Sequence, residues 1–251
     1  MKKILVSQPK PENGKSPYYD LQDKYDVEVV LRPFIKVEGL SAKEFRQYKV
    51  AIPEYSAIIF TARTAVDHFF RLCQETRYNV PDTLKYFCVS ETIAYYLQKY
   101  IIYRKRKIFF SETGRAEDLV PILEKHNKET YLMPISESVE DSKASVLDAH
   151  NIKYTKVPMY RTVSNDFKPR EKFDYDMLVF FSPLGVKALL SNFPKFEQGE
   201  IVIGAMGKST IEAVKEAGLR LDLTTSPEEP SMSIVIDNYL KKLQSRNKKK
   251  R

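Results

Sequence analysis

Hydroxyl side chains recur where short apolar runs give way to helices. Thr61 and Thr64 follow AIIF, and Ser90 and Thr92 follow YFCV. Ser111 and Thr113, then Gly114-Arg115, follow KIFF; Ser182 follows LVFF, and Ser209-Thr210 follow IGAM. Small and hydroxyl residues at a helix N-terminus leave backbone N–H groups pointing outward at its positive end, so such a junction binds anions. Each hydroxyl alone is also what an N-cap requires. Five such junctions in one chain describe a surface able to hold several anionic groups at once. Metal, nucleotide and nucleophilic chemistry has no comparable support. His68, His126 and His150 are isolated, with no HExxH, HxH or paired spacing, and read as surface or helix-end histidines. Gly204–Thr210 contains GKST, but a P-loop needs a glycine five residues before Gly207, where Val202 stands. GxGxxG and GxSxG are absent, and Ser182 in FSPLG has no histidine or acid in recognisable context.

The chain of 251 residues is long enough for one large domain or two of ordinary size, and 43% hydrophobic with 29% charged residues is globular composition. Cys73 and Cys88 sit in apolar contexts without a CxxC, and read as reduced core thiols. The opening MKKILVSQPKPENG is too short in apolar residues for a signal peptide, and no apolar run approaches a membrane span. These features lead us to expect a soluble cytoplasmic protein. The net charge is +8, but the tail Arg246–Arg251 (RNKKKR) carries five of these charges and leaves +3 on the body. A basic tail is ordinarily a solvated end. The 16 tyrosines and 14 phenylalanines fall on strand and helix faces rather than in a basic patch, which argues against nucleic-acid binding.

Elements able to position the hydroxyls follow from the apolar pattern. Strands are predicted at 3–7, 27–31, 57–60, 86–89, 108–110, 131–134, 154–157, 177–181 and 201–205. Helices are predicted at 17–25, 65–76, 92–99, 116–126, 138–150 and 231–243, and after the strands at 177–181 and 201–205. Ser41-Ala-Lys-Glu44 has capping-box spacing and should open a short helix. Strict alternation of strand and helix predicts parallel sheets with helices on both faces, and right-handed crossovers place the post-strand loops along one edge.

The pattern repeats. Phe60–Val66 (FTARTAV) lies over Phe180–Val186 (FFSPLGV) at an offset of 120, and Val89–Ala94 over Met206–Ile211 at 117. Each pair marks a strand-to-helix junction, so the halves read as two copies of one arrangement. Val30–Val37 (VLRPFIKV) and Lys156–Val163 (KVPMYRTV) also match, each a strand followed by proline and a β-prone run. One would leave a first domain and the other return to it. The expected organisation is an α/β chain of two flavodoxin-like domains with parallel sheets, 1–35 plus 166–251 and an inserted 38–160, joined by a two-segment β hinge beside a ligand cleft.

Taken together, Phe60–Val66, Val89–Leu97 (VSETIAYYL), Ser111–Val120 (SETGRAEDLV), Lys156–Val163, Leu178–Leu189 (LVFFSPLGVKAL) and Ile203–Leu219 (IGAMGKSTIEAVKEAGL) resemble the uroporphyrinogen-III synthase family in order and spacing across most of 55–245. The resemblance implies a two-domain α/β lyase that needs no cofactor. It would close linear hydroxymethylbilane to uroporphyrinogen III, inverting the last ring and losing water. The acetate and propionate arms of that substrate suit the strand-end hydroxyls. Carried over residue by residue, the substrate contacts would be Thr61, Ser90, Arg115, Ser182, Gly185, Ser209 and Thr210. Tyr160, matching the family tyrosine of the returning crossing, would donate a hydrogen bond to the departing hydroxyl. The sequence departs from the family pattern at Thr61-Ala62 and Phe181-Ser182, where Thr-Ser is frequent, and at Ser7-Gln8-Pro9, where the family usually has Thr-Arg-Pro; no contact is carried to positions 7 or 8. A tetrapyrrole ligand, a monomer, and no nucleic-acid or membrane partner complete the expectation. The competing readings are a non-catalytic two-domain binding protein for a small anionic ligand and a nucleic-acid-associated protein acting through its tail.

Overall fold

The computed structural model describes residues 3–137, 142–168 and 171–249. In chain order the elements are β1 (Lys3–Val6), α1 (Tyr19–Tyr25), β2 (Glu28–Leu31), β3 (Ile35–Gly39), α2 (Ala42–Arg46), β4 (Ala57–Phe60), α3 (Arg63–Glu75), β5 (Lys85–Cys88), α4 (Glu91–Tyr96) and β6 (Ile108–Phe110). There follow α5 (Val120–Lys125), β7 (Tyr131–Ser136), α6 (Ser142–Ala149), β8 (Tyr154–Ser164), β9 (Met177–Phe180), α7 (Pro183–Asn192), β10 (Val202–Ala205), α8 (Lys208–Glu216), β11 (Leu223–Thr224) and α9 (Met232–Lys249). The chain divides into two compact units, Met1–Lys36 with Val163–Arg251, and Val37–Thr162.

The first unit holds a five-stranded sheet in the order β11-β10-β9-β1-β2, and every pairing in it is parallel. Renumbered within the unit, that is the flavodoxin order 2-1-3-4-5, with a switch point between β1 and β9. Its strands are apolar on both faces because helices cover both. Ile4, Val6 and Val179 pack into one core cluster with α9, while Leu5, Leu178 and Phe180 pack into another with α7 and α8.

The second unit carries a six-stranded sheet, β3-β8-β7-β4-β5-β6, in which β8, β7, β4, β5 and β6 are parallel. Its order reverses between β4 and β7. Alternation again splits the strands: Ile58 and Phe60 go to the α3 side with Phe69 and Leu72, Ile59 and Phe87 to the side of Leu119 and Leu147.

Several elements differ from the sequence expectation for identifiable reasons. The stretch 116–126 is a 3-10 turn over Glu117–Leu119 followed by α5, because Pro121 near the start of α5 cannot donate to the preceding turn. β8 runs on through Ser164 instead of stopping at Val157; its Pro158 falls at a register shift against Ile135/Ser136. β3 is an edge strand of mixed exposure that forms from the β-prone run after Pro33 and reaches on to Gly39. α9 continues past Leu243 to Lys249, so the start of the basic tail is helical; positions 250 and 251 lie outside the described residues. The helix predicted over 138–150 is described only from Ser142, since 138–141 also lie outside. No helix among the described residues is long and apolar enough to cross a membrane.

Candidate active site

In the second unit the carboxyl ends of β4, β5 and β6 bring three loops together. Backbone pairing carries on beyond the strands, with Val89 N–H donating to the Phe60 carbonyl at 3.0 Å and Ser111 N–H to the Cys88 carbonyl at 3.2 Å. Thr61 follows β4 and is buried; the Lys143 ammonium on α6 donates to its carbonyl at 3.0 Å. Ser90 is the N-cap of α4 in extended conformation, its hydroxyl paired with Thr92 Oγ1 at 3.0 Å instead of with a backbone N–H of the helix. Beyond β6 the chain turns at Gly114 with φ of 78°, and the place of its missing Cβ lies 3.9 Å from Ser90 Cβ. The Gly114 turn therefore lies against Ser90. Arg115 is well exposed and only loosely paired, 3.7 Å from Asp118, which Thr113 engages through a short hydrogen bond. Arg63, at the first position of α3, is exposed with its guanidinium 5.3 Å from the Tyr96 ring centre. This edge therefore offers three cations and three hydroxyl-bearing junctions.

In the first unit Ser182 caps α7, its hydroxyl accepting from Gly185 N–H at 3.2 Å. A hydroxyl that accepts inward still has its own proton to donate outward. Gly185 is buried, and the place of its missing Cβ lies 3.4 Å from both Ser182 Oγ and Ser7 Oγ. Ser7, Ser182 and Gly185 thus meet at the switch point between β1 and β9, where open parallel sheets bind ligands. Beyond β10, Gly207 takes φ of 90° as N-cap of α8, a left-handed position that favours glycine. Lys208 and Ser209 beside it are exposed and Thr210 is buried. Ala62 and Ser182, matched by the sequence repeat, share one backbone conformation, φ/ψ of −150°/152° and −153°/150°.

Tyr160 stands in β8 opposite Ser136, at the carboxyl end of the sheet and two strands from β4, roughly 10 Å away at ordinary strand spacing. Its side chain is packed into the core cluster, leaving the residue 9% exposed, and its ring stacks on His68 with centroids 5.2 Å apart and planes 17° from parallel. Arg161 beside it is neutralised by Glu38 at 2.8 Å, Glu44 at 2.9 Å and Glu137 at 3.6 Å. Glu44 is lowered to about 2 by hydrogen bonds from Ser41 and then by Arg161. Burial, and then the Arg71 charge, keep His68 below its ordinary pKa. Among the described residues no three His, Cys, Asp or Glu side chains gather as metal ligands.

Against known proteins, the family model for uroporphyrinogen-III synthase HemD matches residues 18–236. The chain belongs to the uroporphyrinogen-III synthase family. It is a lyase-type enzyme of porphyrin biosynthesis. The fold is similar to that of uroporphyrinogen-III synthetase from Helicobacter pylori 26695, with a TM-score of 0.60 and 18% identity, covering 96% of this chain and 99% of that one. Likeness to a mutant uroporphyrinogen III synthase from Thermus thermophilus is weaker, with a TM-score of 0.49 and 14% identity over 98% of this chain and all of that one. No curated protein matches the chain.

Within this synthase-family chain Thr61, Ser90, Ser182, Gly185, Ser209 and Thr210 stand just past the carboxyl ends of strands or in the first turn of the following helix, Arg115 lies in the loop after β6, and Tyr160 stands within β8. Thr61, Ser90, Arg115 and Tyr160 belong to one unit, and Ser182, Gly185, Ser209 and Thr210 to the other. Sequence reasoning passed over Ser7, Arg63, Lys143 and Lys208. Ser7 could have been found, since it ends an apolar run as Ser182 does. Lys143 carried no signal, because nothing in the chain ties α6 to β4. His68 is not the surface histidine expected from its isolation: α3 turns it inward beneath Tyr160, a partner far away in sequence.

Proposed function

We propose that this chain closes hydroxymethylbilane to uroporphyrinogen III, inverting the last ring and releasing water. The family match over residues 18–236 carries the reading. The chemistry fits the residues present. The pyrrole nitrogen lone pair expels the terminal hydroxyl, leaving an azafulvene. The substituted carbon of the last ring attacks it to give a spiro intermediate, which fragments and recloses with loss of a proton. The electron-rich pyrroles supply the driving force, so the protein's task is to hold the flexible chain where the substituted carbon is the one attacked, a problem of proximity. Carboxylate arms are the handles. Thr61, Ser90 and Arg115 would hold them on one edge, and Ser182, Gly185, Ser209 and Thr210 on the other. Exposed Arg63 and Lys208 add positive charge to these edges.

Tyr160 would donate a hydrogen bond to the departing hydroxyl, which leaves as water. Its packed ring supports this role, since a donor fixed before the reaction needs no reorganisation during it. The working form we propose is a cytoplasmic monomer that binds the tetrapyrrole and neither nucleic acid nor membrane. The two free, buried cysteines fit a reducing compartment.

Purified protein incubated with hydroxymethylbilane tests the reading. Type III isomer above the spontaneous type I product is the expected result, and type I alone would overturn it. Tyr160→Phe should lower the rate of type III formation while substrate still binds; wild-type turnover in that variant removes Tyr160 from the mechanism.

A further inference from the structure

Tyr160 is held by a set of contacts that the reaction scheme does not itself require. The Arg71 guanidinium, on α3, donates from Nε to His68 Nδ1 at 3.1 Å and from Nη1 to Glu75 at 2.5 Å. Its Nη2 donates to the Leu40 carbonyl at 2.7 Å and the Met159 carbonyl at 3.3 Å. One rigid fork thus ties the residue before Tyr160, the segment after β3 and the histidine under the Tyr160 ring. Room for it exists because position 39 lacks a side chain: a Cβ on Gly39 would lie 2.5 Å from Nη2 and 2.6 Å from Cζ. On the other flank Glu137 N–H donates to the Tyr160 carbonyl at 2.8 Å.

The bond from Arg71 decides what the imidazole is. Nδ1 accepts, so it carries no proton, and the ring is neutral with its N–H at Nε2. The same bond fixes the plane of the ring, and the near-parallel stack passes that plane to Tyr160. A phenolic donor is useful only while its O–H points at the departing oxygen, and small angular errors at a reacting centre are costly.

We infer that His68, locked by Arg71, is a positioning residue that orients the Tyr160 ring for the ring-closing reaction. This rests on the role of Tyr160 proposed above, and the variants separate the two. In steady-state assays of type III product, His68→Ala should lower kcat roughly 10- to 100-fold with KM within about twofold, since the donor is misplaced and the carboxylate contacts are intact. His68→Phe restores a flat face of similar size and should recover most of the rate. His68→Leu fills the space without a flat face and should behave as alanine does, which keeps the test decisive if the alanine variant does not fold. Added to Tyr160→Phe, the His68→Ala change should slow the enzyme no further, because it acts only through that tyrosine.

A slow Tyr160→Phe enzyme beside folded His68→Ala or His68→Leu enzymes of wild-type kcat would overturn the inference and leave the Tyr160 reading standing. Additive losses in the double variant would do the same. A Tyr160→Phe enzyme of wild-type rate would remove the Tyr160 reading, and this inference with it.

Discussion

Replacing Gly39 with alanine adds one methyl group to β3, and the structure sets its effect. Gly39 is not among the glycines with positive φ, so the backbone itself accepts a Cβ. The whole effect then lies in the collision with Arg71. A Cβ at 2.5 Å from Nη2 must regain at least 3.4 Å, the onset of ordinary contact, so the guanidinium withdraws by about 0.9 Å. Such a movement takes the 2.7 Å bond to the Leu40 carbonyl to about 3.6 Å and the 3.3 Å bond to Met159 further still, which breaks both. Hydrogen bonds from a charged donor are worth about 1.5–3 kcal/mol each. Water reaches this side chain, which is 29% exposed, so the lower end applies and the pair is worth about 3 kcal/mol. Alanine returns about 0.4–1 kcal/mol by restricting the unfolded chain. The net loss is about 2–3 kcal/mol, or a fall in Tm of about 4–12 °C. Thermal unfolding followed by circular dichroism, with urea midpoints as a second measure, reads this directly. In an Arg71→Ala background the same Gly39→Ala change should be neutral or slightly stabilising, since the colliding group is gone. A Gly39→Ala protein melting within about 1 °C of wild type, or losing as much stability without Arg71 as with it, would refute the reasoning.

Two further outcomes follow from the site. Ser182→Ala removes the cap on α7 and should cost about 1 kcal/mol in urea unfolding, whereas Ser182→Asp keeps an acceptor for Gly185 N–H and should be close to wild type in stability. If Ser182 meets substrate carboxylates, the aspartate should also raise KM through like-charge repulsion; an unchanged KM would end that assignment. The second concerns pH. Because burial and Arg71 hold folded His68 below the ordinary 6.5, the unfolded chain takes up a proton first as pH falls. Stability from this group is therefore full above about pH 6.5 and declines as pH drops through the interval below it. His68→Phe should reduce the slope of the stability profile over that interval, the remainder coming from His126, which burial likewise holds below its ordinary value, ahead of the carboxylate range in which Glu44, lowered to about 2, begins to matter. A variant whose profile keeps the wild-type slope there would count against a buried neutral imidazole.

The sequence by itself determined the layered α/β architecture and the family. Four-residue apolar runs such as AIIF and MLVF are buried throughout because helices cover both faces of a parallel sheet, and their short length between turn residues and helical stretches marks them as strands. Ser41 and Glu44 announce their capping box because both partners lie within one helical turn, and the structure forms both of its bonds. Positions of hydroxyls at strand ends were equally local, which is why Ser90 and Ser182 could be placed at junctions from their neighbours alone.

What the tertiary structure decided are the relations with no local trace. Arg71 reaches a carbonyl 88 positions away, His68 lies under Tyr160, and Gly39 makes room for a guanidinium from another element. β3 and the far half of β8 show in the sequence only as β-prone runs after a proline; their exposure is mixed, so the partner strands fix their extent. Local pattern records whether a side chain is buried, but not against which other side chain. That second fact is fixed by how strands are ordered and helices packed, so the support beneath Tyr160 appears only when the folded chain brings β3, α3 and β8 side by side.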